Sequence, residues 1–299
     1  MKRLFLLGIV VCLMITFDVM ALEKPGVNVA IQTVFSREMN TKADEINNNI
    51  SFGKASFSTD GEVNNRVSYL VSVIPDKEHK ITILDARMHY QAFSWLKIEG
   101  GQIKSAFSME NEIYFAKADF IKGTRSKEVI NGRDLGVQAK AKVADFDVSL
   151  GVLNGVAGLN QSEDNNRKDF VGRLLWHPVK HASVGLAIYQ GWAGPDQDKK
   201  NRYSLQAEYK PEEWHIRSEY VFADNKKDNQ RGFYLQAGYK IFQNLECLVR
   251  GEIFGAKDDP LKELMLGVNI GGWKAQWQIN YLARLKESDA IYVAARLHL

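Results

Sequence analysis

The chain has 299 residues, 45% of them hydrophobic and 25% charged, with 39 Lys and Arg against 36 Asp and Glu and a net charge of +3. Mean hydropathy is −0.28, and past residue 21 no run of about twenty apolar residues occurs, which excludes a helical membrane protein. Two all-β classes remain: a soluble sheet protein, and a barrel whose every second residue points into a lumen and so escapes hydropathy scans.

Residues 1–21 read as a secretory signal peptide, with Lys2 and Arg3 leading an apolar run from Leu4 to Phe17 and Val19-Met20-Ala21 as the cleavage site. The domain expected to remain is 22–299. Cys12 lies in the apolar run, so this remainder holds only Cys247 and has no intrachain disulfide.

From Gly26 onwards an alternation of apolar and polar residues restarts every ten to fifteen positions. Such period-two segments are strands with one apolar and one polar face. They are read near 26–37, 50–59, 65–75, 81–90, 94–104, 134–143, 145–153, 169–177, 181–191, 201–210, 213–222, 231–240, 244–254, 262–270, 273–283 and 290–299. The pattern is clearest at the end, where Trp273, Ala275, Trp277, Ile279 and Tyr281 alternate with Lys274, Gln276, Gln278 and Asn280. Sixteen strands let both ends meet on one side and the sheet close without an edge. The first strand, apolar at Val27, Val29, Ile31 and Phe35, is expected to pair with the last.

Every second connection is short. Segments 39–49, 105–133 and 154–168 are long, whereas 60–64, 91–93, 144 and 178–180 are tight. Asp60-Gly61 and Gly271-Gly272 read as tight hairpin turns. This segregation matches bacterial barrels, with periplasmic turns and external loops, and a soluble sandwich has no reason for it. Tyr203, Tyr209, Trp214, Tyr220, Phe222, Phe233, Tyr239, Trp273 and Tyr281 fall on the outward parity, as interfacial aromatic girdles do.

Several segments resemble the phosphate-selective porin O and P family. Residues 52–61 look like its basic second strand, Leu84-Asp85-Ala86 with Tyr90 like its L-D-A-x-x-x-Y strand, and residues 101–110 like its G-Q-F-K-x-P-F-x-x-E segment. Residues 133–138, 152–155 and 172–174 are similar to its R-D-x-G-V-Q, V-F-N-G and G-R-L. The likeness covers about residues 50–180. It implies a sixteen-stranded homotrimeric porin whose third loop folds into the lumen. Ala106 departs from the motif's proline and Leu299 from the usual terminal aromatic. The family's phosphate-binding positions do not map onto this chain, so the motif residues carry over as structural.

Parity places Lys54, Arg66, Arg87, Lys97, Lys104, Lys140, Lys142, Arg173, Arg202, Lys210, Arg217, Lys240, Arg250, Lys274, Arg284 and Arg296 towards the lumen, with Asp85, Glu99, Asp145, Asp147, Glu208, Glu219, Glu246 and Glu252. The basic excess predicts anion preference in a narrow low-dielectric channel. Against it stands pairing along one strand, as in Asp85/Arg87, Lys97/Glu99, Arg217/Glu219 and Arg250/Glu252. Loop 105–133 supplies Lys117, Lys122, Arg125 and Lys127 as constriction candidates. Its charge is nearly balanced, which argues for a general small-solute pore.

His89, His177, His181, His215 and His298 are scattered, so no metal is expected, nor a cofactor. No nucleophile motif points to an enzyme, and no nucleic-acid module occurs. The expected protein is an outer-membrane porin of a Gram-negative bacterium. It is surrounded by outer-membrane lipid and passes small hydrophilic solutes, with a lean towards anions such as phosphate. The alternative is a plugged barrel that acts through its external loops.

Overall fold

The computed structural model describes residues 25–40, 45–75, 80–130, 132–156, 165–225, 229–272, 274–285 and 288–299. Residues 1–21, Trp273 and part of the polar loop at 160–166 lie outside them. Sixteen antiparallel strands form one sheet: β1 (Gly26–Asn40), β2 (Glu45–Asn64), β3 (Val67–Pro75), β4 (Ile81–Phe93), β5 (Leu96–Lys104), β6 (Arg133–Val143), β7 (Phe146–Leu153), β8 (Asp169–Trp176), β9 (Ala182–Gln190), β10 (Asp198–Tyr209), β11 (Trp214–Asn225), β12 (Asn229–Phe242), β13 (Leu245–Gly255), β14 (Leu261–Gly271), β15 (Ala275–Arg284) and β16 (Asp289–His298). A two-residue ladder, Trp192–Ala193, adds to the start of β10.

Each strand pairs with its neighbours in sequence, and β1 pairs with β16 from Ala30↔His298 to Met39↔Asp289. Val29 and Leu299 exchange both backbone hydrogen bonds at 2.9 Å, which closes the cylinder. Closure matters because an open edge would leave a row of unpaired amides.

Two-residue alternation sets the two faces. In β10, Arg202, Ser204 and Gln206 are buried inside, while Tyr203, Leu205, Ala207 and Tyr209 are exposed outside. Outward residues form an apolar band that includes Val184, Leu186, Ile188, Leu235, Leu264, Leu266 and Ile279. Cys247 is on this outer face. The described outward aromatics keep their expected side; all are exposed except the half-buried Phe222.

Several expectations are corrected. Asp60 and Gly61 are not a turn; they lie within β2, opposite Leu70 and Tyr69. The turn is Asn65-Arg66 instead, because the Asn64 side chain accepts from the backbone amides of both Arg66 and Val67 at 2.9 Å. Arg66 therefore sits exposed in that turn rather than on a lumen-facing strand position. Asp145 likewise belongs to the tight turn before β7, after Ala144 with φ 49°; Lys210 and Lys274 lie in connections.

The expected long connection at 39–49 shrinks, because β1 and β2 run on as a ladder of 15 and 20 residues that includes Asn47, Asn48 and Asn49. Hydrophobic periodicity marks only the apolar band, whereas backbone pairing continues beyond it into polar sequence. The connection at 223–230 shortens for the same reason.

Candidate functional site

Strand parity delivers Lys54, Arg87, Lys97, Lys140, Lys142, Arg173, Arg202, Arg217, Lys240, Arg250, Arg284 and Arg296 to the inner face, and Lys104 reaches it from the end of β5. Their pairing runs between strands rather than along one. Arg87 meets Glu99 at 2.6 Å, Lys140 meets the same carboxylate at 3.2 Å, and Arg133 takes Asp85 at 2.9 Å. Arg217 pairs with Glu208 at 3.0 Å, while Glu219 accepts from Ser108 and Ser204. Of the four same-strand pairs considered above, only Arg250 and Glu252 form an ion pair, at 3.8 Å. Side chains two apart on a strand are about 7 Å apart, whereas directly opposed ones are about 5 Å apart, so cross-strand partners prevail.

The connection from β5 to β6 turns inward and crosses the lumen. It carries a short helix α1 (Met109–Glu112), capped by Ser108 Oγ, and two 3-10 turns at Phe115–Lys117 and Arg125–Val129. Its backbone is polar and buried, so it needs partners, and the inner wall supplies them. Gln206 donates to Phe107 O at 2.7 Å, and Arg296 to the carbonyls of Ala116 and Ala118 at 3.0 Å. Gln278 and Asn269 donate to Asp119 O at 3.0 Å. Arg250 takes the carbonyls of Lys122 and Gly123 at 3.2 Å, and Ser126 N donates to Glu252. Arg202 donates to Val129 O. The inward amides and guanidiniums of β10 to β16 thus act mainly as anchors for the loop.

Both ends of the loop rest on a cluster of Phe107, Val129, Ile130, Leu153, Val171, Tyr189, Val221 and Phe254. Above it Asp169, fully buried at the start of β8, accepts from Tyr189 Oη at 2.5 Å and Trp192 N at 3.0 Å and pairs with Lys200 at 2.8 Å. Lys200 also donates to Gly155 O, and Gly155 N donates to Asp134 at 2.6 Å. Gly155 holds φ 88°, where a Cβ would fall 2.5 Å from the Asp169 carboxyl carbon. This knot joins the β7–β8 and β9–β10 connections to the start of β6. Sequence reading missed it, although inward parity at Asp169, Tyr189 and Lys200 was available as a signal.

Burial sorts the charges of the loop. Asp119 is held by Gln236, by His215 at 3.4 Å and by Arg217 at 3.7 Å, with His215 bridging on to Glu208 at 3.0 Å. Glu110 is buried beside Lys127 and Arg217, and Arg125 is occupied by Glu263 and Glu128. Lys117, Lys122 and Lys127 keep exposed side chains, as does Glu112, which approaches Arg173 at 3.4 Å. Partial desolvation, then Arg284, pulls the Lys122 ammonium below its usual value, and burial pushes the Tyr114 hydroxyl up. Facing this surface, exposed Lys54 has Lys127, Arg296 and Arg133 as charged neighbours. The loop is nearly neutral in sequence, and its exposed charges, Lys117, Lys122 and Lys127 against Glu112 and Glu128, leave a small basic excess. At the short-turn end, a recess of about 220 Å³ opens beneath it between Asp119, His215, Lys240, Glu246 and Arg296. Among the described residues no three His, Cys, Asp or Glu converge as metal ligands.

The family model described as beta-barrel porin-2, OmpL-like matches residues 134–284. The anion-selective porin from Comamonas acidovorans superposes with a TM-score of 0.72 at 8% identity, over 92% of this chain and 99% of that one. OmpF of Salmonella typhi, in complex with daunomycin, gives 0.69 at 10% identity, over 92% and 98%. The trimer form of in-vitro folded OmpT, an outer membrane protein of Vibrio cholerae, gives 0.65 at 12%, over 93% and 100%. At such identities the likeness is one of fold, and the fold is the closed antiparallel barrel of outer-membrane porins. A comparison with curated proteins finds no match.

Proposed function

The chain belongs to the beta-barrel porin-2, OmpL-like family, and on that premise we propose that it is a passive outer-membrane porin for small hydrophilic solutes, leaning towards anions, phosphate among them. The observation that carries the reading is the uneven burial of charge on the inward-folded loop. Asp119 is engaged by the wall and Glu110 by Arg217 and Lys127, while Lys117, Lys122 and Lys127 face water with Glu112 and Glu128, a small basic excess to which Lys54 adds. A low-dielectric passage lined this way attracts anions and repels cations.

In this reading Lys54 and Lys104 set the field beside the loop, with Lys127 and Arg133 contributing from their pairs with Glu110 and Asp85. Lys140 and Arg87 share one carboxylate, Glu99, and with Lys97 extend the basic wall. Arg173, Arg217, Arg250 and Arg296 serve chiefly to hold the loop, and Arg125 serves likewise. Solutes diffuse down their gradient, with no catalytic step and no cofactor. Residues 1–21 direct export and are removed, the short turns face the periplasm, and three copies assemble in the membrane. The anion-selective Comamonas porin and the trimeric form of the Vibrio protein support these finer points by likeness of fold.

Single-channel conductance in a planar bilayer under a salt gradient tests the proposal. Discrete steps with an anion-selective reversal potential are expected. Steps with cation-selective reversal would overturn the role given to Lys54 and the loop lysines. A second reading, a plugged barrel acting through its external loops, is favoured by how much of the β10–β16 inner wall the loop covers. Folded, inserted protein that gives no steps would establish it in place of the first.

A further inference from the structure

We propose that Lys54, Tyr114 and Phe115 form a subsite for organic carboxylates with a flat apolar body, a class narrower than small anions at large. The inference rests on the anion-leaning reading above and specifies which anions its site holds best.

Three observations meet at one place. Lys54 points inward from β2 and is water-exposed, and its charged neighbours are the cations Lys127, Arg296 and Arg133, of which Lys127 is paired with Glu110 and Arg133 with Asp85. The Lys54 ammonium, set among cations, gains a counter-charge from a bound anion. The ammonium also lies 5.8 Å from the centroid of the Phe115 ring, so the positive group and an aromatic surface are presented together. Finally, the ring is part of an apolar strip. Tyr114 and Phe115 lie 4.8 Å apart at a tilt of 55°, next to Ile113, and all three are half-buried.

The strip is fixed in place. Tyr114 Oη bonds Ser56 Oγ on β2, and its ring meets His298 edge-on at 6.1 Å. Arg296 holds the carbonyls of Ala116 and Ala118 just beyond Phe115. Rotamer freedom is therefore already lost before a ligand arrives, which favours binding.

An inorganic anion gains only the Coulomb attraction here and must shed a strong hydration shell. An aryl carboxylate places its charge on Lys54 and lays its ring against Phe115 or Ile113. Covering roughly 50 Å² of apolar surface corresponds to about a tenfold gain in occupancy. A neutral aromatic lacks the anchor, and an aromatic cation is repelled by Lys54.

The test is block of chloride current through the full-length channel in a planar bilayer, with sodium benzoate and sodium acetate as matched monovalent probes. Benzoate is expected to half-block at about one tenth of the acetate concentration. Phe115→Ala should abolish that difference, and Tyr114→Phe, which keeps the ring, should preserve it. Equal block by the two probes in the wild type would overturn the subsite while leaving anion selectivity intact. A benzoate advantage that survives Phe115→Ala would overturn its placement here. Absence of both anion-selective reversal and anion block would instead overturn the porin reading beneath it. The wild-type comparison depends on no variant folding.

Discussion

Replacing Asp169 with alanine should loosen the inward-folded loop without opening the barrel. The carboxylate is fully buried and serves Lys200, Tyr189 and the Trp192 amide at 2.8, 2.5 and 3.0 Å. Its removal leaves the Lys200 ammonium buried with a backbone carbonyl as its hydrogen-bond acceptor. Breaking a buried pair in this manner costs about 3–5 kcal/mol, a factor of about a hundred to a few thousand in an opening equilibrium. Tyr189 packs edge-on against Phe107 at 6.2 Å, so the cost falls on the docking of the loop. The strand ladder, with its own hydrogen bonds, is untouched. Native-state hydrogen exchange in micelles reads this directly: amides of residues 105–130 should lose protection by that factor, and those of β13 and β14 should not. The double variant Asp169→Leu with Lys200→Met should recover most of the loss, because an apolar replacement of a buried pair is often neutral. Unchanged protection of the loop in a folded Asp169→Ala protein would refute the role given to the knot.

Three further outcomes follow from the faces of the strands and the charges inside them. Leu205→Lys, on the outer band between Tyr203 and Tyr209, should lower unfolding stability by about 2–4 kcal/mol if it sits near the bilayer midplane, read as a reduced urea midpoint in lipid. Anion preference should weaken between 0.1 and 1 M salt, since the screening length falls from about 10 to about 3 Å; a reversal ratio independent of salt would argue against exposed lysines as its source. Lys122 loses its proton below the usual lysine value of 10.5, so anion preference should begin to fall before the pH reaches that value. The arginines keep their charge, so the loss should be partial, and Lys122→Gln should reduce this early step.

The strand count and the facing of most wall residues were legible because a membrane-spanning sheet must alternate, and β10 to β16 do so with few bulges. Turn positions were less legible. Asp60-Gly61 carries a hairpin composition, but Asn64 three residues on caps the real turn through its side chain, and local composition does not rank the two. Pairing was also hidden: Arg87 prefers Glu99 on the next strand to Asp85 on its own, and that choice depends on register between strands. The loop was legible as long and mixed in charge. Which of its charges remain in water was not, because Asp119 is held by His215 and Arg217, nearly a hundred positions further on.

The anchoring of the loop also ties it to the register of the whole wall. Residues 105–130 leave β5, yet their partners include Gln206, Arg217, Arg250, Asn269, Gln278 and Arg296, from β10 to β16. Those side chains converge on one interior in the cylinder that β1 and β16 seal. A segment early in the chain is thus held by partners near its end, and its seating reports that the strands between them have paired in register.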